Sequence, residues 1–216
     1  MARQWQLKGH MMHTVEVIGP VTKRKQPISV ASHRAKILCA DCQRYFKGYE
    51  DRTKEILVRM ERGDELVFSP DELHALATWG AKTAYMLIAA EKGMEDVVPE
   101  AQRHGLRSND VPPSNLWVGY GQYNGHGHKG VHEHTIAGYK PRYAYGAVLF
   151  VARIALKVFG FSDNGPPMRP FGCPPILRQT WPTRTRPVDW PPDEVIRADE
   201  YGRLARMVPF VGYLAP

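Results

Sequence analysis

Two cysteines three apart, Cys39 and Cys42 in "KILCADCQRYFKGYEDRTKEIL" (Lys36 to Leu57), are the first residues whose spacing suits chemistry. A Cys-x-x-Cys pair supplies two thiolates, and a closed structural zinc site takes four nitrogen or sulfur ligands in a tetrahedron. "HMMH" near the start of the chain offers His10 and His13 as the other two, a set that suits structural Zn2+. The plainer alternative leaves the histidines on a frayed terminus and the cysteines as small packing residues. A second set, "HGHKGVHEH", gathers His126, His128, His132 and His134 around Glu133. In a strand His132 and His134 share one face, whereas a solvated loop of this composition binds metal only adventitiously. His33, inside "VASHRAK", is the candidate general base. An unperturbed imidazole titrates near neutral pH and can take a proton from water; a strand histidine that is exposed or satisfied by a neighbour is the competing reading.

The 216 residues carry a formal charge of +7 at pH 7. Residues 1–62 hold 13 Lys/Arg against 6 Asp/Glu while residues 63–216 hold 16 of each, so the surplus lies beside the cysteine pair. A localised basic field attracts phosphate backbones or acidic surfaces. The expected phosphate contacts are Lys23, Arg24, Lys25, Arg34, Lys36, Arg44, Lys47 and Arg52, which would hold a nucleic acid without reading its sequence. A hydrophobic content of 43% supports a core and excludes wholesale disorder. Three cysteines exclude a disulfide framework. The opening "MARQWQLKGHMMH" lacks the apolar stretch of a secretory signal. The longest apolar run, "AYGAVLFVARIALKVFGF", is interrupted by Arg153 and Lys157 and is too short for a bilayer. The expectation is a cytoplasmic protein with no membrane partner.

The elements that must position these residues follow from periodicity. His13 to Gly19 alternates as a strand and Ile28 to Cys39 reads as a second, together a hairpin. After Cys42 the period becomes helical, with Phe46, Tyr49, Thr53, Ile56, Leu57 and Met60 on one face and Gly63 as the stop. "SPDE" at Ser69–Glu72 is a capping box with proline in the first helical position. The stripe Leu73, Leu76, Ala77, Gly80, Ala81, Ala84, Leu87 and Ile88 marks a packing helix whose small residues allow a close neighbour. A short helix follows Pro99, and strands cover "NLWVGYGQYNG" and "HEHTIAGYK". "GAVLFVARIALKVFGF" is a buried strand or a helix, which periodicity does not decide. From Gly165 prolines dominate, with a brief strand near Ile176–Thr180 and a last helix over Asp193–Met207. The expected architecture is α+β: residues 1–63 form a basic ββα-like module, packed on a C-terminal α+β domain of residues 64–216 with a proline-rich tail.

The order of these features resembles the HNH endonuclease-like proteins of actinobacteria and their phages. The residues that carry the resemblance are "CADC" opening an amphipathic helix, "VFSPDELHALATWGAKTAYML", "VPEAQRHGL" with "PPSNLWVG", and "ILRQTWPTRTRPVDWPPDE". In that family a W-x-x-K-T-A segment (here Trp79, Lys82 and Ala84) and a Trp-Pro, Trp-Pro-Pro ending (Trp181-Pro182, Trp190-Pro191-Pro192) follow the CxxC helix. The likeness runs from Ile37 to Leu204. It implies a ββα unit in which a divalent metal holds the scissile phosphate, a strand histidine activates water, and a helix asparagine orients that histidine or ligates the metal.

The chain departs from the family at several of these positions. Gln43 replaces the asparagine, Arg44, Tyr45, Phe46 and Lys47 replace Asn-Gly-Trp-Met, and the first CxxC with its Glu-His pair is missing. "HMMH" and His33 are the available substitutes. An amide displaced by about an ångström costs on the order of a hundredfold in rate, and Arg44 would hold a phosphate without cutting it. The resemblance therefore implies a degenerate member that binds nucleic acid with nuclease activity weak or lost. The first alternative is an active metal-dependent endonuclease using Mg2+ or another divalent ion, with His33 as base and Gln43, Glu50 or Asp51 near the metal. The second is a module that docks on a phage or host protein.

Overall fold

The computed structural model describes residues 10–12, 27–29, 40–90, 97–124, 129–134, 144–161, 176–182, 187–200 and 204, and the fold is α+β. In chain order the elements begin with strands β1 (His10–Met12) and β2 (Pro27–Ser29), then helix α1 (Ala40–Arg62). Strand β3 (Leu66–Phe68) and helices α2 (Pro70–Ala90) and α3 (Glu100–Ser108) come next. The sheet strands are β4 (Leu116–Tyr123), β5 (Lys129–His134), β6 (Ala144–Val151) and β7 (Ile154–Phe161). They are followed by β8 (Arg178–Trp181), β9 (Val188–Trp190), β10 (Val195–Ile196) and a 3-10 turn at Ala198–Glu200.

Helix α1 buries Phe46, Tyr49, Thr53, Ile56 and Met60, the spacing of one helical face. It ends where expected. Gly63 adopts φ +79°, its N–H donates to the Met60 carbonyl at 3.1 Å, and the Asp64 N–H donates to the Arg59 carbonyl at 3.2 Å. This is the Schellman pattern, for which glycine has no Cβ penalty. Helix α2 opens with the reciprocal capping box: the Ser69 N–H donates to Glu72 Oε2 at 2.9 Å and the Glu72 N–H to Ser69 Oγ at 3.2 Å. Burial raises the Glu72 carboxyl, but those bonds and Arg59 outweigh it and hold the group below its ordinary value.

Strand β4 lies second from one edge of the six-stranded sheet, with β7, β6 and β5 following antiparallel on one side. Its other edge is shared by two short strands, β8 antiparallel along Val118–Tyr120 and β10 parallel along Gln122–Tyr123. Alternation divides the side chains of β4 and β7 between two cores. Leu116, Val118, Tyr120, Ile154, Leu156 and Val158 join the buried faces of α1, α2 and α3. Trp117, Tyr123, Ala155, Phe159 and Phe161 meet Ile176, Leu177, Ile196 and Leu204 on the opposite side. Helix α2 approaches the sheet closely because Gly80 has no side chain: a Cβ there would lie 2.9 Å from Val118 Cγ1 and 3.2 Å from Leu156 Cδ1. The face of α1 belongs to the same core as residues beyond Gly63, so the module and the rest of the chain share one hydrophobic interior.

Several elements differ from the sequence expectation. Helix α1 starts at Ala40, so Cys42 sits in its first turn rather than ahead of it. A short antiparallel pair joins His10–Met12 to Pro27–Ser29, ahead of the expected first strand; His13–Gly19, and the expected second strand from residue 30 to Cys39, lie outside the described residues. The ambiguous apolar run is neither one strand nor a helix but a hairpin, β6 and β7, turning at Ala152 (φ 51°) and the exposed Arg153. The start of the expected last helix is a strand, β10, because Val195 and Ile196 complete the edge of β4. Strands β3 and β9 pair antiparallel, and Trp190 on β9 donates its indole N–H to the Met60 carbonyl at 3.1 Å. Among the described residues no helix is long and apolar enough to cross a membrane.

Lys157 on β7 is fully buried on the side away from the helices, and burial pushes its ammonium down to about 7. Between that value and the ordinary 10.5 the unfolded chain carries a proton here that the folded chain has lost. Stability therefore rises with pH, by up to about 1.4 kcal/mol per pH unit. The buried phenols of Tyr120 and Tyr145, pushed up by burial, act in the opposite sense once unfolded tyrosine ionises, so the window to read is pH 7 to 9. Urea unfolding should show a higher midpoint at pH 9 than at pH 7 for the wild type and a smaller difference for Lys157→Met. The same difference in both proteins would refute the assignment.

Candidate functional site

Helix α3 lies against the start of α1, and a cleft of about 290 Å³ opens between them. Its walls are Cys42 and Phe46 from α1, Lys82, Tyr85 and Met86 from α2, and Glu100, Arg103, His104, Leu106 and Arg107 from α3. Arg103 and Arg107 stand one helical turn apart and so point to the same side of α3. Arg107 Nη1 donates to Cys42 Sγ at 3.5 Å, which joins the rim of α3 to the first turn of α1. Lys82, on a buried stretch of α2, reaches Glu50 of α1 in an ion pair. Among the described residues Glu100 is the one carboxylate on the cleft wall, and its Oε1 lies 3.3 Å from His104 Nε2.

A polar cluster beside the cleft sets the height of α3. Just past the end of α3, Asp110 adopts φ 57°. Its Oδ1 accepts hydrogen bonds from the hydroxyls of both Tyr45 and Tyr49, and its carbonyl meets the His74 ring. The hydrogen bonds from Tyr45 and Tyr49, with the positive partners His74 and Arg52, hold the Asp110 carboxyl below its ordinary value against a smaller opposing effect of burial. Both phenols are pushed up, by burial first and then by their bonds to the carboxylate. The far end of α3 is tied to the sheet through Gln102, which accepts from the Tyr145 hydroxyl at 2.7 Å and donates to the Phe161 carbonyl at 2.8 Å.

The structure places the expected site residues unevenly. Gln43 and Asp51 are both exposed on α1, eight residues apart, which is about 12 Å along the axis. They do not converge on one metal position. Arg44 and Lys47 are exposed near the start of α1, Arg44 beside Asp41 at 3.5 Å. Arg52 lies on its own helix, its guanidinium 4.7 Å from the centre of the Tyr49 ring and its Nε donating to the Gly48 carbonyl at 3.4 Å. His33, Lys23, Arg24, Lys25, Arg34 and Lys36 lie outside the described residues. Of the proposed zinc ligands, His10 is placed by its backbone in β1, Cys42 lines the cleft, and His13 and Cys39 lie outside the described residues. Among the described residues no three metal-ligating side chains come together. His132 and His134 occupy β5, opposite Gly146 and Ala144 of β6.

Sequence reasoning missed Arg103, Arg107 and the cleft side of Lys82. The i,i+4 arginines of "EAQRHGLRS" were a visible signal, but nothing local says that this nine-residue helix docks on the start of α1. A second cleft, about 310 Å³, lies further along α1, bordered by Leu57, Val58, Trp79, Val151, Ala152 and Ile154. The Glu50–Lys82 pair stands between the two, Lys82 lining the first and Glu50 the second. Comparison of the chain with protein-family models, with curated proteins and with solved structures gives no significant match.

The Asp110 cluster makes a prediction about acid. A carboxyl held below its ordinary value contributes stability that is complete above the unfolded value, near 3.8, and is lost as pH falls through the folded one. In a carbon-13 NMR titration the Asp110 carboxyl should titrate below 3.8 in the wild type and move upward in Tyr45→Phe/Tyr49→Phe. An unchanged titration in the double variant would show that the phenols do not set it.

Proposed function

We propose that the chain is a degenerate relative of the HNH endonucleases that binds nucleic acid through its phosphates and cuts it weakly or not at all. The observation that carries this reading is the cationic cleft at the start of α1, where Lys82, Arg103 and Arg107 line the walls and Arg44 and Lys47 lie exposed on the adjoining turn. Arginine forks match phosphate oxygens in two-point contacts. Loss of cutting is supported by the separation of Gln43 from Asp51 along α1 and by the replacement of the family asparagine.

Affinity for a duplex of unrelated sequence should fall steeply with salt, the logarithmic slope shrinking by about 0.9 for each phosphate contact removed. Arg103→Ala/Arg107→Ala should flatten that slope by roughly two such steps, with little change among sequences. Plasmid incubated with Mg2+, Mn2+ or Zn2+ should stay intact. Cleavage that disappears in His33→Ala would select the active endonuclease instead.

A second reading, a module that docks on a protein, is supported by the apolar cleft around Trp79, Leu57 and Val58. Absence of DNA and RNA binding even at low salt would leave that reading standing. The reading also includes structural zinc on His10, His13, Cys39 and Cys42. Cys42 Sγ already accepts a hydrogen bond, which suits a sulfur carrying negative charge. Metal analysis of protein purified without a polyhistidine tag should find one zinc per chain, lost in Cys39→Ser. A metal-free wild type would reduce the pair to packing thiols.

A further inference from the structure

We infer that the cleft between α1 and α3 takes one unstacked nucleotide of a single strand, its phosphate on Arg103 and Arg107 and its base against the wall made by Phe46, Tyr85 and Met86. This rests on the nucleic-acid reading and adds the state of the strand. Three features of the cleft argue for it. Its volume, about 290 Å³, sits at the small end of ligand pockets and admits one nucleotide, whereas a duplex is far too wide to enter. Its lining is mixed: Arg103 and Arg107 come from α3, while Phe46 of α1 and Tyr85 and Met86 of α2 supply aromatic and thioether surface, with Leu106 among them. A duplex keeps its bases stacked and offers the rim only phosphates, so that apolar wall would go unused. A single strand can turn a base out of the stack and lay it on an apolar or aromatic surface while its backbone follows the cations.

The charges favour the same occupant. Among the described residues Lys82, Arg103 and Arg107 outnumber Glu100 on the walls, and Lys82 is paired with Glu50. The other two cationic side chains of the lining, Arg103 and Arg107, both belong to α3, whereas Phe46, Tyr85 and Met86 belong to α1 and α2. A ligand with an anion at one end and a flat apolar body at the other satisfies both sides. The contact between Arg107 and Cys42 and the bonds of Asp110 to Tyr45 and Tyr49 join α3 to α1 and set the width of the cleft between them.

The test compares three fluorescein-labelled probes of roughly 16 nucleotides, the upper site size for a single-strand binding fold. They are oligothymidylate, a strand of abasic spacers with the same phosphates, and a duplex, all read by fluorescence anisotropy at one salt concentration. The expected result is that oligothymidylate binds on the order of tenfold more tightly than the abasic strand and the duplex. Met86→Glu should remove that preference, and Arg103→Ala should weaken all three probes. The abasic comparison needs no variant to fold. Equal binding of the three probes by the wild type would overturn the inference and leave the nucleic-acid reading intact. Indifference to Arg103→Ala would move binding away from this cleft and also overturn it. Binding of none of the probes would remove the nucleic-acid reading and this inference with it.

Discussion

Helix α2 is pinned from both sides through two consecutive carbonyls of its backbone. Thr53 of α1 donates its hydroxyl to the Ala75 carbonyl at 3.2 Å, and Tyr120 of the sheet donates to the Leu76 carbonyl at 2.7 Å. Both hydroxyls are buried, so neither could be left without a partner at small cost. A helical carbonyl keeps a second lone pair after making its own i→i+4 bond, and these two lone pairs are where the layers meet. Gly80, a turn further along, lets the helix sit close enough to the sheet for the Tyr120 bond to form. Because α1 and β4 grip adjacent residues of one helix, their mutual position is set more firmly than apolar burial alone would set it.

The cleft inherits its geometry from that arrangement. α1 is fixed by α2, and α3 is fixed by the sheet at one end and by α1 at the other. Tyr145 reaches Gln102 only because Gly160 stands beside it: a Cβ at Gly160 would come within 2.6 Å of the Tyr145 ring. At the other end the two phenols of α1 converge on Asp110. Arg103 and Arg107 lie between these two anchors, on a helix too short to hold its own position in water. The cationic rim is thus positioned by residues that carry no charge, apart from one carboxylate whose charge the phenols stabilise.

The parts of the fold legible in the sequence are those whose physics is local. Ser69 and Glu72 are three residues apart, Gly63 follows its helix directly, and the buried face of α1 repeats within its own turns. The β6–β7 hairpin was not legible because its turn uses Ala152 at positive φ where glycine or asparagine would have marked it. With no such mark, the sixteen residues from Gly146 to Phe161 read as one largely apolar stretch despite Arg153 and Lys157. Strand β9 pairs with β3 across more than a hundred residues, and a three-residue strand among prolines has no period to read. The same limit hid the cleft. Its α1 half lies in the segment that spacing singled out, and its α3 half is joined to that segment only by tertiary contacts such as Arg107 to Cys42.

Charge shows most directly why composition and site differ. The surplus counted over residues 1–62 suggests a continuous basic face, yet on α1 the exposed cations are interrupted by Asp51 and Glu55. Arg59 is engaged with Glu72 at 2.8 Å, and with Arg62 it occupies the last turn, where cations offset the negative end of the helix. Arg52 rests on Tyr49. Those residues are accounted for by the stability of the helix and its cap. Lys54 borders the second cleft, so what α1 offers a phosphate near the first is its opening turns, Arg44 and Lys47, and that is the end to which α3 brings two arginines from a segment with no net surplus. A cationic site here is a matter of where two helices meet, and the count of positive residues along the chain predicts it only in part.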